Sequence, residues 1–184
     1  MLSYFKKIVR ESSGVLIACT VITMVCGIAL SESDELLSAI PFLVLIMPAQ
    51  NDVVGDMCQV LVGRLASHLY IGLVPARLSF TPRVRYDFQS LFVALLLSVS
   101  TLLAVNVIVA TISGIEFGNF YKIIFVVFTA ATLLFSIMFI VLFTGAIYIF
   151  KHNKDPNNFL IPITTSLIDT LSPIFVVLLA SIVL

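Results

Sequence analysis

The sequence predicts an all-α membrane protein, a polytopic bundle of five transmembrane helices. Of the 184 residues, 60% are hydrophobic and only 11% are charged, whereas soluble domains average roughly 45–50% apolar and about 25% charged residues. Ten Lys and Arg residues balance ten Asp and Glu residues, so the chain lacks the basic excess that is typical of nucleic-acid binding. These two observations exclude a soluble globular domain and a nucleic-acid-binding protein.

Five apolar segments approach or exceed the roughly 20 residues that a helix needs to cross a bilayer. They cover residues 14–30, 36–69, 91–112, 123–150 and 159–184. The runs are continuously apolar, unlike the alternating segments of about ten residues that are typical of a membrane β-barrel. We therefore expect residues 14–184 to form a single transmembrane domain with short loops.

Residues 1–13 have two interpretations. Leu2, Phe5 and Ile8 share a face opposite Lys6 and Lys7, a pattern that indicates an amphipathic segment at the membrane interface. The alternative is a cleaved signal peptide that ends near residues 29–31. The apolar run is long for a signal peptide, and its removal would disturb the charge distribution described next, so the interfacial segment is favoured.

The Lys and Arg residues predict the orientation of the helices. Cytoplasmic loops of membrane proteins carry an excess of these residues, and with five crossings three basic clusters lie on one side. These clusters contain Lys6, Lys7 and Arg10, then Arg77, Arg83 and Arg85, and then Lys151 and Lys154. The opposite side holds Glu32, Asp34, Glu35 and Glu116 with one cation, Lys122. We therefore expect a cytoplasmic N-terminus and an external C-terminus in a cell membrane.

The second segment carries polar side chains on one helical face. Asp52, Asp56 and Gln59 are spaced i, i+4 and i+7, positions that lie on the same side of an α-helix. A charged side chain near the bilayer centre costs roughly 2.5–3.5 kcal/mol on insertion scales, which makes it a candidate functional residue. Pro48 and Gly55 lie in the same stretch and favour an irregular or closely packed backbone. Asp56 is favoured as functional, whereas Asp52 fits a structural or interfacial role equally well.

The fifth segment repeats this arrangement. Asp155 is placed to cap a helix that begins at Pro156. Asn158, Thr165 and Asp169 follow at offsets 0, 7 and 11 along one stripe. At about 1.5 Å per residue, Asp169 lies roughly 16 Å along the helix axis from Asn158, near the middle of the membrane. The pattern is typical of the wall of an ion path.

The chemistry of these side chains indicates the class of ion. Carboxylate, amide and hydroxyl oxygens bind Mg²⁺, Ca²⁺ or Mn²⁺, whereas zinc and copper favour imidazole and thiolate ligands. The predicted metal ligands are Asp169, Asp56, Asp155, Asp52, Gln59, Asn158 and Thr165. We expect the cation to be the transported species, with no cofactor and no enzymatic activity.

The polar residues also have a structural interpretation. A lone Asp in a transmembrane segment, such as Asp56 or Asp169, could be protonated or could pair with Arg64, the only Lys or Arg in the second segment. Asn and Thr side chains often form interhelical hydrogen bonds worth about 0.6 kcal/mol each. His68 and His152 lie near predicted membrane interfaces without a second His or Cys at ligand spacing, so we assign them no functional role.

The second and fifth segments resemble the corresponding helices of the MgtE-type magnesium transporters, and most closely their solute-carrier branch. In the second segment the matching residues are Pro48-Ala49, Gly55-Asp56, Arg64-Leu65-Ala66-Ser67 and Ile71-Gly72. In the fifth they are Asp155-Pro156-Asn157-Asn158, Ile161-Pro162 and Thr164-Thr165-Ser166-Leu167-Ile168-Asp169. The chain departs from the family pattern at Asp56, where the family has Asn.

The resemblance implies a five-helix unit that pairs with a second unit around a cation path lined by helices two and five. The family's intramembrane Asp corresponds to Asp169, and the Asp at the start of its last helix corresponds to Asp155. Because the solute-carrier relatives carry two such units in one chain, a single unit implies a homodimer. The expected function is that of a divalent-cation transporter or channel, with Mg²⁺ as the expected transported ion.

Two other functions remain open from the residues alone. An intramembrane aspartyl protease also uses two membrane-embedded aspartates, but the sequence before Asp56 lacks the first Gly of the protease Gly-x-Gly-Asp motif, and no Tyr precedes Asp169. A membrane assembly protein without transport activity is the second alternative, in which Asp56 and Asp169 would be structural.

Overall fold

A computed structural model of the chain describes residues 13–24, 27, 41–115 and 119–183. All regular elements within these residues are α-helices, as predicted. They are α1 (Ser13–Met24), α2 (Pro41–Tyr70), α3 (Pro82–Ser113), α4 (Phe120–Lys151) and α5 (Pro156–Val183). Residues 1–12 of the predicted interfacial segment, and the cleavage site of the alternative signal peptide, lie outside the described residues.

Three of the helices are long and apolar enough to cross a membrane, namely α3, α4 and α5. Helix α2 has 30 residues, a length of about 45 Å at 1.5 Å per residue, but it is more polar because it carries Asp52, Asp56 and Arg64. The described part of α1 is shorter than a membrane span. The chain is therefore a helical membrane bundle, and the orientation of its termini stays a prediction.

Helix α3 begins nine residues earlier than the hydropathy predicts, at Pro82 instead of residue 91. Thr81 caps it, because the Thr81 hydroxyl accepts a hydrogen bond from the Val84 N–H at 3.4 Å. Pro82 occupies the first turn, where its missing N–H costs no hydrogen bond. Arg83 is consequently helical, whereas the apolar segments predicted that it lies in the loop between the second and third helices. Arg83 and Arg85 of this first turn are exposed, so their charges do not enter the apolar core.

Helix α5 begins at Pro156 with Asp155 as its cap, as predicted. The Asp155 carboxylate accepts a hydrogen bond from the Asn157 N–H at 3.0 Å. Pro162 and Pro173 lie inside the helix without ending it. Helix α2 likewise continues through Pro48.

The apolar core lies where α4 packs against α2, α3 and α5. Phe88 of α3 meets Phe139 of α4 edge to face, with ring centroids 4.8 Å apart. Helix α2 also packs directly on α5. Gly55 faces α5, since a Cβ at that position would lie in van der Waals contact with Cγ2 of Ile168, at 4.0 Å. The packing therefore brings together the two helices that carry the predicted polar stripes.

Candidate functional site

A polar cleft of about 230 Å³ lies between α2 and α5. Its lining residues are Asn51, Asp52, Gly55, Asp56, Gln59, Thr165, Ile168 and Asp169. Asp52, Asp56 and Asp169 are exposed, so the cleft opens onto the surface of the chain. Three carboxylates thus converge on one opening in a bundle that is otherwise largely apolar.

The cleft lies at mid-height of both helices that form it. Asp56 is 15 residues from the start of α2 and 14 from its end. Asp169 is 13 residues from the start of α5 and 14 from its end. At about 1.5 Å per residue, each carboxylate is roughly 20 Å from either end of its helix. A bilayer that surrounds these helices therefore has its apolar centre at the level of the cleft.

Hydrogen bonds within the cleft orient its oxygen atoms. The Asn51 amide donates from Nδ2 to Oδ1 of Asp169 at 2.6 Å, which fixes the Asp169 carboxylate against α2. The Thr165 hydroxyl donates to the Pro162 carbonyl at 2.9 Å within its own helix. Because its proton is used there, the Thr165 oxygen offers lone pairs to the cleft. The arrangement presents mainly acceptor oxygens, which suits a cation.

The size of the cleft also suits a cation that keeps its water. Mg²⁺ is octahedral and dehydrates reluctantly, and six waters at about 30 Å³ each occupy about 180 Å³. Among the described residues, no three His, Cys, Asp or Glu side chains are close enough to hold one metal ion directly. The cleft of one chain can therefore contact a hydrated cation through separate oxygens, but it does not form a closed cage for a bare ion.

The structure brings together five of the seven predicted site residues. Asp52, Asp56 and Gln59 from α2 face Thr165 and Asp169 from α5, as the helical spacing predicted. The cleft lining does not include Asp155 and Asn158.

Asp155 lies 14 residues before Asp169, about 21 Å along the axis of α5. Its carboxylate caps the helix, so this residue has a structural role independent of any ion. Asn158 is half-buried in the first turn of the same helix, and its N–H bonds the Asp155 carbonyl at 3.2 Å. Both residues are therefore at one end of the helix rather than in the cleft.

Asn51 is a partner of Asp169 that the sequence pattern did not predict. Asn51 precedes Asp52 by one residue and lies one helical turn before Gly55, so its position in the polar run could have indicated it. The contact itself depends on the packing of α2 against α5, which the spacing within one helix does not reveal.

A second polar cluster, which we call the α2–α3 cluster, consists of Arg64, His68, Arg83 and Asp87. Asp87 is buried, and its Oδ1 lies 3.6 Å from Arg64 Nη1 while its Oδ2 lies 3.0 Å from His68 Nδ1. Arg83 donates from Nε to His68 Nε2 at 3.2 Å. Arg64 thus pairs with Asp87 and not with an aspartate of the cleft, so the structural interpretation of Asp56 and Asp169 through Arg64 is wrong.

The α2–α3 cluster explains the polar start of α3. Asp87 is the buried charge in the second turn, and it has cationic and imidazole partners from α2 as buried charges require. The signal in the sequence was the spacing of Arg64 and His68, which are four residues apart and share a face. Asp87 of α3 contacts both of these side chains.

Fold and site together define a multi-pass membrane protein with a carboxylate-lined cleft midway along two of its helices. A model of the MgtE family, described as a divalent cation transporter, matches residues 47–179. This match covers most of the chain and both helices that line the cleft, so the chain belongs to the MgtE family of divalent cation transporters. Comparisons with curated proteins and with solved structures give no match.

Proposed function

We propose that the chain transports Mg²⁺ through the cleft between α2 and α5. The observation that supports this most directly is the convergence of Asp52, Asp56 and Asp169 at mid-height of the two helices. Charged residues at this depth face a protein interior or an aqueous path rather than lipid. In this proposal the cation is the cargo, the chain needs no resident cofactor and it catalyses no reaction.

Within the cleft, each carboxylate has a separate part. Asp169 is held in place by Asn51 and offers its second oxygen to the ion or to the waters around it. Asp56, one turn further along α2 than Asp52, adds negative charge on the opposite wall. Gln59 and Thr165 supply neutral oxygens that accept hydrogen bonds from the water shell. A hydrated Mg²⁺ is thereby attracted without losing its inner waters.

Asp155 and Asn158 act at a distance from the cleft. They lie at the start of α5, close to Lys154 and the α4–α5 turn. One Asp155 oxygen caps the helix, and the negative charge of the carboxylate raises the local concentration of cations at this end. We propose that these residues gather or release ions at the cytoplasmic mouth of the path.

We further propose that the working unit is a homodimer. The cleft of one chain is open, and its carboxylates are exposed, so lipid would contact three ionisable groups in a single chain. A groove of about 550 Å³ between α2 and α3 adjoins the cleft and shares Asp52 with it. A second copy of the chain that covers both the cleft and this groove would enclose the cleft and double the number of carboxylates around it.

Uptake of different cations into proteoliposomes tests the choice of Mg²⁺. With Mg²⁺ as the tracked ion, we expect entry to saturate, because the ion binds a defined site. Mn²⁺, which has the same preference for oxygen ligands, should compete, whereas Ca²⁺ should compete at least about tenfold less well because it does not keep the compact octahedral water shell. Stronger competition by Ca²⁺ than by Mn²⁺ would reject Mg²⁺ as the cargo while leaving divalent transport in place.

Cysteine cross-linking tests the homodimer. In a chain whose three natural cysteines are replaced, Asp52→Cys should yield a cross-linked dimer with a short bifunctional thiol reagent, because the cleft faces the second copy. Val141→Cys is the matched control, since Val141 is exposed on α4, a helix that does not line the cleft. Equal cross-linking at both positions, or none at Asp52→Cys, contradicts this interface.

A further inference from the structure

The groove of about 550 Å³ between α2 and α3 contains more polar groups than a surface that only meets lipid needs. Asp52 lines both the groove and the cleft, so the two spaces adjoin at this side chain. Helix α3 contributes three further polar side chains to the groove, namely Ser98, Thr101 and Asn106. All four lie in the part of the bundle that a bilayer surrounds.

Most of these polar groups lack a partner in the part of the chain that the structure describes. The Thr101 hydroxyl donates to the Leu97 carbonyl at 3.0 Å, but the Ser98 hydroxyl makes no hydrogen bond within the described residues. The Asn106 amide donates from Nδ2 to the Leu102 carbonyl at 2.9 Å. Among the same residues, Oδ1 of Asn106 accepts no hydrogen bond, and the Asp52 carboxylate has neither a hydrogen bond nor an ion pair.

Lipid chains cannot satisfy these groups. Hydrocarbon neither donates nor accepts hydrogen bonds, so a hydroxyl, an amide oxygen and a carboxylate that face it lose the partners they have in water. The three groups follow one another along a single groove rather than being scattered over the surface. Water in the groove supplies every missing partner at once.

The groove leads from the level of the cleft towards one end of the bundle. Ser98 lies 15 residues before the end of α3 at Ser113, about 22 Å, whereas Asn106 lies seven residues before it, about 10 Å. The two helices are antiparallel, so this is also the end at which α2 begins, and Asp52 lies one turn nearer to it than Asp56. The distribution of Lys and Arg predicts that this end is external.

We propose that the groove is a water-filled vestibule through which a hydrated divalent cation reaches the cleft, with Asn106 near its mouth and Asp52 at its inner end. This inference rests on the proposed function of the cleft and adds α3 to the ion path. The groove has about three times the roughly 180 Å³ that six waters occupy, so the ion enters with its water shell. The polar α3 side chains are neutral and accept hydrogen bonds from that shell without holding the ion. In the proposed homodimer, the second copy forms the outer wall of the vestibule.

The reaction of single cysteines with a cationic, water-soluble methanethiosulfonate tests whether the groove holds water. In the full-length chain in lipid nanodiscs, with the three natural cysteines replaced, Thr101→Cys should react at least about tenfold faster than Ser100→Cys, because the reactive thiolate forms only in water. Ser100 is a matched control. It is also an exposed hydroxyl residue that donates to the carbonyl four residues earlier, but it does not line the groove.

Val105→Cys is a second reporter, because Val105 is exposed and lines the groove one turn nearer the end of α3. It should react at least as fast as Thr101→Cys. Equal rates at Thr101→Cys and Ser100→Cys overturn the proposal, since the groove is then filled by lipid. No reaction at either groove position also overturns it, since the second copy then fills the groove.

Mg²⁺ flux after labelling tests whether the ion uses the groove. Each variant is labelled to completion in detergent and then reconstituted into proteoliposomes. The positive adduct at Thr101→Cys should slow flux at least about fivefold, because it repels a cation in the groove, whereas the adduct at Ser100→Cys should change flux less than about twofold. Unchanged flux through labelled Thr101→Cys overturns the route and leaves the cleft as the binding site. Absence of flux in the unlabelled wild type instead contradicts the proposed function, and the labelling rates then decide alone whether the groove holds water.

Discussion

Replacing Asp169 by Asn is expected to reduce Mg²⁺ flux by about 10- to 100-fold. The change removes a negative charge from the narrow cleft and retains the shape of the side chain. A hydrogen bond to a charged group contributes about 1.5–3 kcal/mol, and about 1.4 kcal/mol corresponds to a factor of ten. The loss is large because Asp169 is the carboxylate that Asn51 fixes in place at 2.6 Å, so no other side chain takes its position.

The flux of purified Asp169→Asn in proteoliposomes, measured with an internal Mg²⁺ indicator, checks this expectation. Thr144→Val is the matched intramembrane control, because Thr144 is exposed on α4 and its hydroxyl donates to the Ile140 carbonyl of the same helix. That variant should keep flux within about twofold of the wild type. Flux through Asp169→Asn that equals the control would exclude the cleft as the ion path, even though the family assignment stands.

The stripe of polar residues on each helix could be predicted because helical periodicity is a local property of the sequence. Asp52, Asp56 and Gln59 at i, i+4 and i+7 share a face in any regular α-helix, and the structure keeps them on one wall of the cleft. Thr165 and Asp169 follow the same rule on α5. Asn158 obeys the periodicity as well, yet it lies about 10 Å along the axis from Thr165. A shared stripe therefore predicts that side chains project from the same side of the helix, but not that they belong to one site.

The contacts between helices could not be predicted in this way, because they depend on which helices are neighbours. Asn51 meets Asp169 across α2 and α5, and Arg64 meets Asp87 across α2 and α3. The hydropathy pattern also placed the start of α3 too late in the chain, because the first turns of this helix are polar. The pair Thr81-Pro82 is a local signal that the hydropathy pattern does not use, because a hydroxyl cap followed by proline is typical of helix N-termini. Capping residues would have predicted this helix start better than the length of the apolar run.

Replacing Asp87 by Asn is expected to lower the free energy of unfolding by about 1.5–3 kcal/mol. This is the typical contribution of a hydrogen bond to a charged group, and the Asp87 carboxylate contacts both Arg64 and His68. The Arg64 side chain is 41% exposed, so solvent screens the charge that is left behind. Equilibrium unfolding of the purified protein in mixed detergent and SDS measures the change.

A double-mutant cycle separates the ion pair from the general effect of altering a buried side chain. Arg64→Gln alone should destabilise by about 3 kcal/mol, because it leaves the buried Asp87 carboxylate without a cationic partner, and Ser90→Ala serves as a control that leaves the Asp87 charge in place. In the double variant with Asp87→Asn, no charge of the pair remains unbalanced, so the total loss should fall below the sum of the single losses by about 0.5–3 kcal/mol. Strict additivity would mean that Arg64 and Asp87 do not interact. The His68 contact with Asp87 would then be the one that stabilises the polar start of α3.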